Sequence, residues 1–173
     1  MPQYFGRSYI GLLVGVMVLG ALSSCSLNET SVRDSQAEVG MSVVHQEGAP
    51  YPADVEYIEE ILMIPPGTTL PEGAEVVSVK PAEMFAESYP GGWGYAIAFI
   101  ADEQAIRDYI DEHTSFSSAA IDAYPDANDY ELGLDDIDMT GIKRPWATGF
   151  DNADLVLERP LGRGWLLIRG APR

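Results

Sequence analysis

The chain has 173 residues, 27 of them acidic and 10 basic, for a formal charge of −17 at pH 7. That balance argues against binding nucleic acid and against lying flat on an anionic membrane, because both surfaces repel a protein of this sign. One cysteine excludes an internal disulfide and a multi-thiolate metal cluster.

Arg7 is the only charge before residues 10–22, a run of thirteen built from Ile, Gly, Leu, Val, Met and Ala. A membrane-spanning helix needs roughly 20 apolar residues, whereas the core of an export signal needs about 7 to 15 behind a positive leader. The run therefore reads as a signal peptide. Leu22-Ser23-Ser24-Cys25 follows, with small residues and then the single thiol. This stretch resembles the lipobox of bacterial lipoproteins. The resemblance covers residues 1 to about 26 and implies that residues 1–24 are removed, that Cys25 carries a diacylglyceryl group, and that its new amino group is acylated. Each buried methylene contributes about 0.8 kcal/mol and stable anchoring needs more than one chain, which two or three acyl groups provide. The leader has no paired arginine, so the general export route is expected. Without Arg7, nine basic residues face 27 acidic ones, and the mature chain carries a formal −18. The implied place is a bacterial membrane, lipid-anchored, facing away from the cytoplasm.

Residues 25–53 then comprise the lipidated cysteine and a tether. Ser, Glu, Gln, Asn and Gly dominate it and no apolar period appears, which predicts disorder. A flexible tether of 28 residues spans about 30 Å. Residues 54–173 are long enough for a single domain with one core.

Within that domain, "DVEYIEEILM" predicts a short helix with Val55, Ile58, Ile61 and Leu62 on one face and Asp54 as its N-cap, ended by Pro65-Pro66-Gly67. "EVVSVK" at 75–80 predicts a strand closed by Pro81. After the Pro90-Gly91-Gly92 turn, residues 95–100 are apolar on both faces, which predicts a central strand covered on both sides. Asp102 should cap the next helix, whose Ile106, Tyr109 and Ile110 form one stripe. "ADLVLERPLGRGWLLIRG" places two apolar runs around a Pro-Gly turn and predicts a hairpin. The expected fold is α+β, an antiparallel sheet packed on one or two helices in the order α-β-β-α-β-β. The folded part also resembles the general run of small exported actinobacterial lipoproteins, a likeness that rests on no functional motif.

Residues 101–140 hold twelve carboxylates against Arg107 alone, whereas 141–173 hold six basic residues against Asp151, Asp154 and Glu158. The terminal segment is expected to fold beside the acidic middle. In that middle, Asp126, Asp129, Glu131, Asp135 and Asp136 are the candidate ligands for calcium, which wants six to eight oxygens. An EF-hand count from Asp126 fails, with Tyr130 at position 5 and Ile137 where the closing Glu belongs, so a solvated acidic loop is the plainer reading. Asp135 with Asp136 or Asp138 is the pair a glycosidase would use. His45 and His113 fall in the tether and at a helix end, where neither suggests catalysis. The aromatics offer a binding surface: Trp93, Trp146 and Phe150 lie beside turns, with Tyr89 and Tyr95 near and Lys143 and Arg144 at the rim. Large rings in turns otherwise serve as core cover.

No cofactor is expected. The reading these residues support is a non-enzymatic binding or interaction module meeting an envelope protein or glycan, with no nucleic-acid partner. Its rivals are a small envelope hydrolase using acidic residues, with or without a metal, and a structural lipoprotein with no small ligand.

Overall fold

The computed structural model describes residues 46–127, 133–150 and 153–171, all within the second of two units, Gly40–Arg173. The expected signal peptide, Cys25 and the tether as far as residue 45 lie outside the described residues.

One sheet organises the domain. Its strands are β1 (Glu75–Pro81), β2 (Trp93–Ile100), β3 (Trp146–Phe150), β4 (Ala153–Leu157) and β5 (Arg163–Gly170). They pair antiparallel throughout in the order β1-β2-β5-β4-β3. Among the described residues three α-helices accompany them: α1 (Ile58–Leu62), α2 (Glu83–Ser88) and α3 (Glu103–His113). The fold is α+β, with the antiparallel sheet and helices that the hydrophobic pattern predicts. The order differs, because α2 intervenes between β1 and β2 and β3 precedes the predicted hairpin of β4 and β5.

Both faces of the sheet are covered. Tyr95, Ile97 and Phe99 of β2 join Leu155, Leu157, Leu166 and Ile168 in a cluster with Ile61, Ile106 and Ile110 from the helices. On the opposite face Ala96, Val156 and Leu167 meet Ala82, Leu134, Ile137 and Ile142. β2 is therefore interior and doubly covered, as its sequence requires, although β5 occupies the middle position. Burying each large apolar side chain in these layers contributes about 1.5 to 3 kcal/mol.

The helices depart from expectation in detail. Residues Val55–Tyr57 form a 3-10 turn before α1, and the Asp54 carboxylate accepts from the Glu56 N–H at 3.0 Å. Three residues per turn rotate Val55 off the apolar face, so it is 42% exposed while Ile61 is fully buried. In α3 the stripe of Ile106, Tyr109 and Ile110 is buried as predicted. Asp102 holds the N-cap position in extended backbone, but its side chain makes no capping hydrogen bond.

The fold begins before the expected boundary at residue 54. Ala49 is buried, Tyr51 and Ala53 pack on the core, and the Tyr95 hydroxyl donates to the Tyr51 carbonyl at 2.7 Å. Residues 46–53 thus belong to the domain. Single apolar residues at irregular spacing leave no period to detect, yet each fills a gap at the edge of the core.

Charge complementarity between the acidic middle and the basic end takes one main form. Arg159 is fully buried in the connection from β4 to β5 and donates to the carbonyls of Ile121, Tyr124, Arg144, Pro125 and Pro145, and to the Asp126 carboxylate at 2.5 Å. Arg144 also donates to the Asp122 carbonyl at 2.8 Å, and Arg169 to the Gly133 carbonyl at 3.0 Å. Arg163 and Arg169 find their carboxylates within their own segment, on Glu158 and Asp154.

Candidate functional site

The described acidic residues proposed for calcium are engaged separately or exposed. Asp126 is engaged by Arg159. Asp136 caps α2, accepting from the N–H groups of Met84 at 2.7 Å and Phe85 at 3.1 Å. Asp135 is exposed, and Asp129 and Glu131 lie outside the described residues. Among the described residues no group of three or more His, Cys, Asp or Glu side chains could hold a metal ion. Asp138 accepts from Thr140, both backbone and hydroxyl, and these bonds hold its carboxyl below the ordinary aspartate range.

The aromatics separate into distinct groups. Trp146 is 3% exposed, packs edge-on against Phe116 with ring centroids 5.4 Å apart, and lies tilted against Tyr124 at 6.3 Å. These rings border a hollow of about 210 Å³ that also touches Asp126. Phe150 sits edge-on to Tyr109, and Tyr109 in turn lies tilted against His113 at 4.4 Å. Trp93 lies elsewhere, 5.8 Å from the fully buried Tyr95, whereas Tyr89 is exposed and packs on Phe85. Lys143 and Arg144 form the turn before β3, where their carbonyls accept from the Arg159 N–H and its guanidinium. Arg144 has a φ of 44°, the left-handed region that a non-glycine residue adopts only under constraint, and its bond to Arg159 supplies that constraint.

Around Trp93 the backbone builds a groove of about 910 Å³, lined among others by Glu47, Glu83, Ala86, Glu87 and Gly91. Its walls are held from several directions. The Gln46 side chain clasps Gly94, donating to its carbonyl at 2.6 Å and accepting from its N–H at 3.2 Å. That pair fixes the 46–48 turn along one side. α2 is held at its start by the Asp136 carboxylate, and its last turn closes with the Tyr89 N–H donating to the Phe85 carbonyl at 3.0 Å.

Trp93 itself is positioned by pairing. It lies across from Gly170 in the β2–β5 register, and a β-carbon on Gly170 would stand 2.6 Å from indole Cε2. Only glycine lets the indole lie flat on β5. Gly92 serves the same end, because a β-carbon there would meet the Tyr89 carbonyl at 2.8 Å and the Phe85 ring at 3.1 Å. The Pro-Gly-Gly-Trp sequence thus acquires a purpose beyond a turn: it brings α2 and β2 close enough to make two walls meet.

Chemically the groove combines an indole face with three carboxylates, and none of Glu47, Glu83 and Glu87 pairs with a cation among the described residues. Of these lining residues only Trp93 was a candidate from the sequence. The carboxylates carried no motif, and the one signal that could have marked them is the four-residue spacing of Glu83 and Glu87.

No family model, no curated protein and no solved structure matches the chain. Among the described residues no helix is long and apolar enough to cross a membrane.

Proposed function

We propose that this chain is a lipid-anchored protein on the outer side of a bacterial membrane, and that its folded domain binds another envelope component without transforming it. The anchor is inferred from Leu22-Ser23-Ser24-Cys25 behind its thirteen-residue apolar run. Acyl chains on Cys25 would hold near a surface a domain that its own charge drives away.

One observation carries the binding half of the reading: Trp93 stands in the wall of a groove whose sides are tied by Gln46, Asp136 and Gly170. A partly exposed indole on a rigid support meets a ligand at little cost in ordering. Of the carboxylates a hydrolase would draw on, Asp136 caps the start of α2 and Asp138 is engaged by Thr140, which leaves the exposed Asp135 without its partner. This favours binding over hydrolysis.

Two measurements test the halves separately. Cys25→Ala is expected to block processing and to move the protein out of the membrane fraction; a variant that still fractionates with membranes at normal size would refute the anchor. A photoreactive residue at Ala86, in the groove, is expected to give a covalent adduct in native envelopes that the same residue at the exposed Ala119 does not. Equal labelling from both positions would refute the groove as a binding site.

A further inference from the structure

We propose that two copies of this chain pair transiently through an uncovered end of the sheet, face to face across a two-fold axis running along β2. This goes beyond the binding-module reading and concerns the other end of β2 from Trp93. On the face that carries Ala96, Val156 and Leu167, the cover supplied by Leu134, Ile137 and Ile142 stops short. Beyond it Ser78, Ala98 and Trp165 are half-buried, Ile100 is 47% exposed, and Val77 at the β1 bulge is 56% exposed. Ala98 and Ile100 belong to an interior strand and Trp165 to the central one. Apolar surface thus lies open where a solvated sheet face carries polar residues.

The register selects the occupant. Glu75, Ile100 and Arg163 form one row across β1, β2 and β5, and Ser78, Ala98 and Trp165 form the next. The Arg163 guanidinium lies over the Trp165 ring, 5.5 Å from its centroid, so both rows project from the same face. A two-fold axis along β2 sets β1 of one copy against β5 of the other. Glu75 then faces the second copy's Arg163 and Ser78 faces its Trp165, while Ile100 and Ala98 meet themselves. Opposite charges oppose each other, and a small side chain receives a large one. Both charges are available. Glu75 pairs with no cation among the described residues, and Arg163, although held by Glu158 and the Gly141 carbonyl, keeps 48% of its side chain exposed. Two chains at −17 repel one another, and Lys80, opposite Ala96 on the same face, joins Arg163 in lowering that repulsion here. The cover over Ala96 confines the contact to these two rows. Two rows on three strands span roughly 200 Å², against about 800 Å² per partner in stable complexes, so the pairing is weak.

Cells producing the full-length chain with Ile100→Cys are treated with a short bis-maleimide, which captures transient pairs. Backbones of sheets packed face to face lie about 10 Å apart, within reach of such a linker. A covalent dimer joined at position 100 is expected, well above the background from the wild type and from Ala119→Cys at an exposed position. Adding Glu75→Arg makes both symmetry-related charge pairs repulsive and should lower the yield about tenfold. Ser78→Trp sets indole against indole and should lower it as well. Glu72→Arg changes the net charge by the same amount but lies beside α3, in a hollow with Ala105 and Asp108, and should alter the yield less than about twofold. Thermal melting of each variant checks that it remains folded, as the exposure of Glu75 and Ile100 leads one to expect. The pairing is overturned if Ala119→Cys gives as much dimer, if Glu75→Arg leaves the yield unchanged, or if position 100 links to a different protein instead. That last result would give the face to another partner, and none of the three bears on the Ala86 photoadduct.

Discussion

Arg159 and Asp126 are separated by 33 residues in sequence and joined at 2.5 Å in the fold, with the guanidinium fully buried and the carboxylate half-exposed. The same guanidinium gathers carbonyls from the 121–125 and 144–145 segments. It thereby stitches the acidic middle of the chain to the β4–β5 turn. Replacing Arg159 with Met would strand those carbonyls and is expected to cost about 3 to 5 kcal/mol. Asp126→Asn keeps the carbonyl contacts and should cost only about 1 to 3 kcal/mol. Urea unfolding of the two variants provides the comparison, and equal losses would show that the ion pair rather than the carbonyl cage dominates.

Gly170 leaves room for the Trp93 indole, so Gly170→Ala must displace one or the other. Overpacking of this kind costs about 1 to 3 kcal/mol. The expected signature is a lower melting temperature together with a changed indole emission that disappears in the Gly170→Ala, Trp93→Phe double variant. A single variant with wild-type stability and emission would contradict the flat packing of the indole on β5.

Tyr109 is buried in α3 and donates its hydroxyl to the Thr69 carbonyl at 2.8 Å, and burial pushes its pKa from 10.0 up to about 12. In the unfolded chain the phenol ionises first. The stability it contributes is therefore complete below pH 10 and is lost between pH 10 and about 12. Tyr109→Phe is expected to be less stable at neutral pH and to show a shallower decline in that alkaline window. Urea midpoints measured across it decide the matter, since parallel declines would mean that Tyr109 is not the titrating group.

Glu158 behaves in the opposite sense. The Arg163 guanidinium donates to its carboxylate, the Lys143 N–H adds a bond at 3.3 Å, and the carboxyl is held below its ordinary value of 4.5. Its contribution is complete above pH 4.5 and is lost as the pH falls through the lower folded value. Glu158→Gln should flatten the acid limb of the stability profile while leaving the alkaline limb unchanged. An acid limb as steep as that of the wild type would assign the loss to other carboxylates.

What the sequence determined by itself was every element whose cause is local. β1, β2, the α3 stripe and the β4–β5 hairpin were legible because alternation, a 3.6-residue period and a Pro-Gly turn act over a few neighbouring residues. The lipobox resemblance is of the same kind, four adjacent residues read in order, and Cys25 remains a proposal on that basis. Tertiary structure alone decided α2, β3, Arg159 and the groove. α2 has Ala82 at its N-cap and takes its cap from Asp136, a residue more than fifty positions away. β3 reads as a turn between Pro145 and Gly149 until β4 offers it a ladder. Arg159 sits in a Pro-Gly turn with nothing to mark it for burial, because the carbonyls that satisfy it come from segments distant in sequence. Glu47 lines the same groove as Glu83 and Glu87 because the Gln46–Gly94 clasp brings the 46–48 turn beside β2. Capping, pairing and charge satisfaction across such distances depend on which surfaces the packed sheet brings together, and no local pattern encodes that.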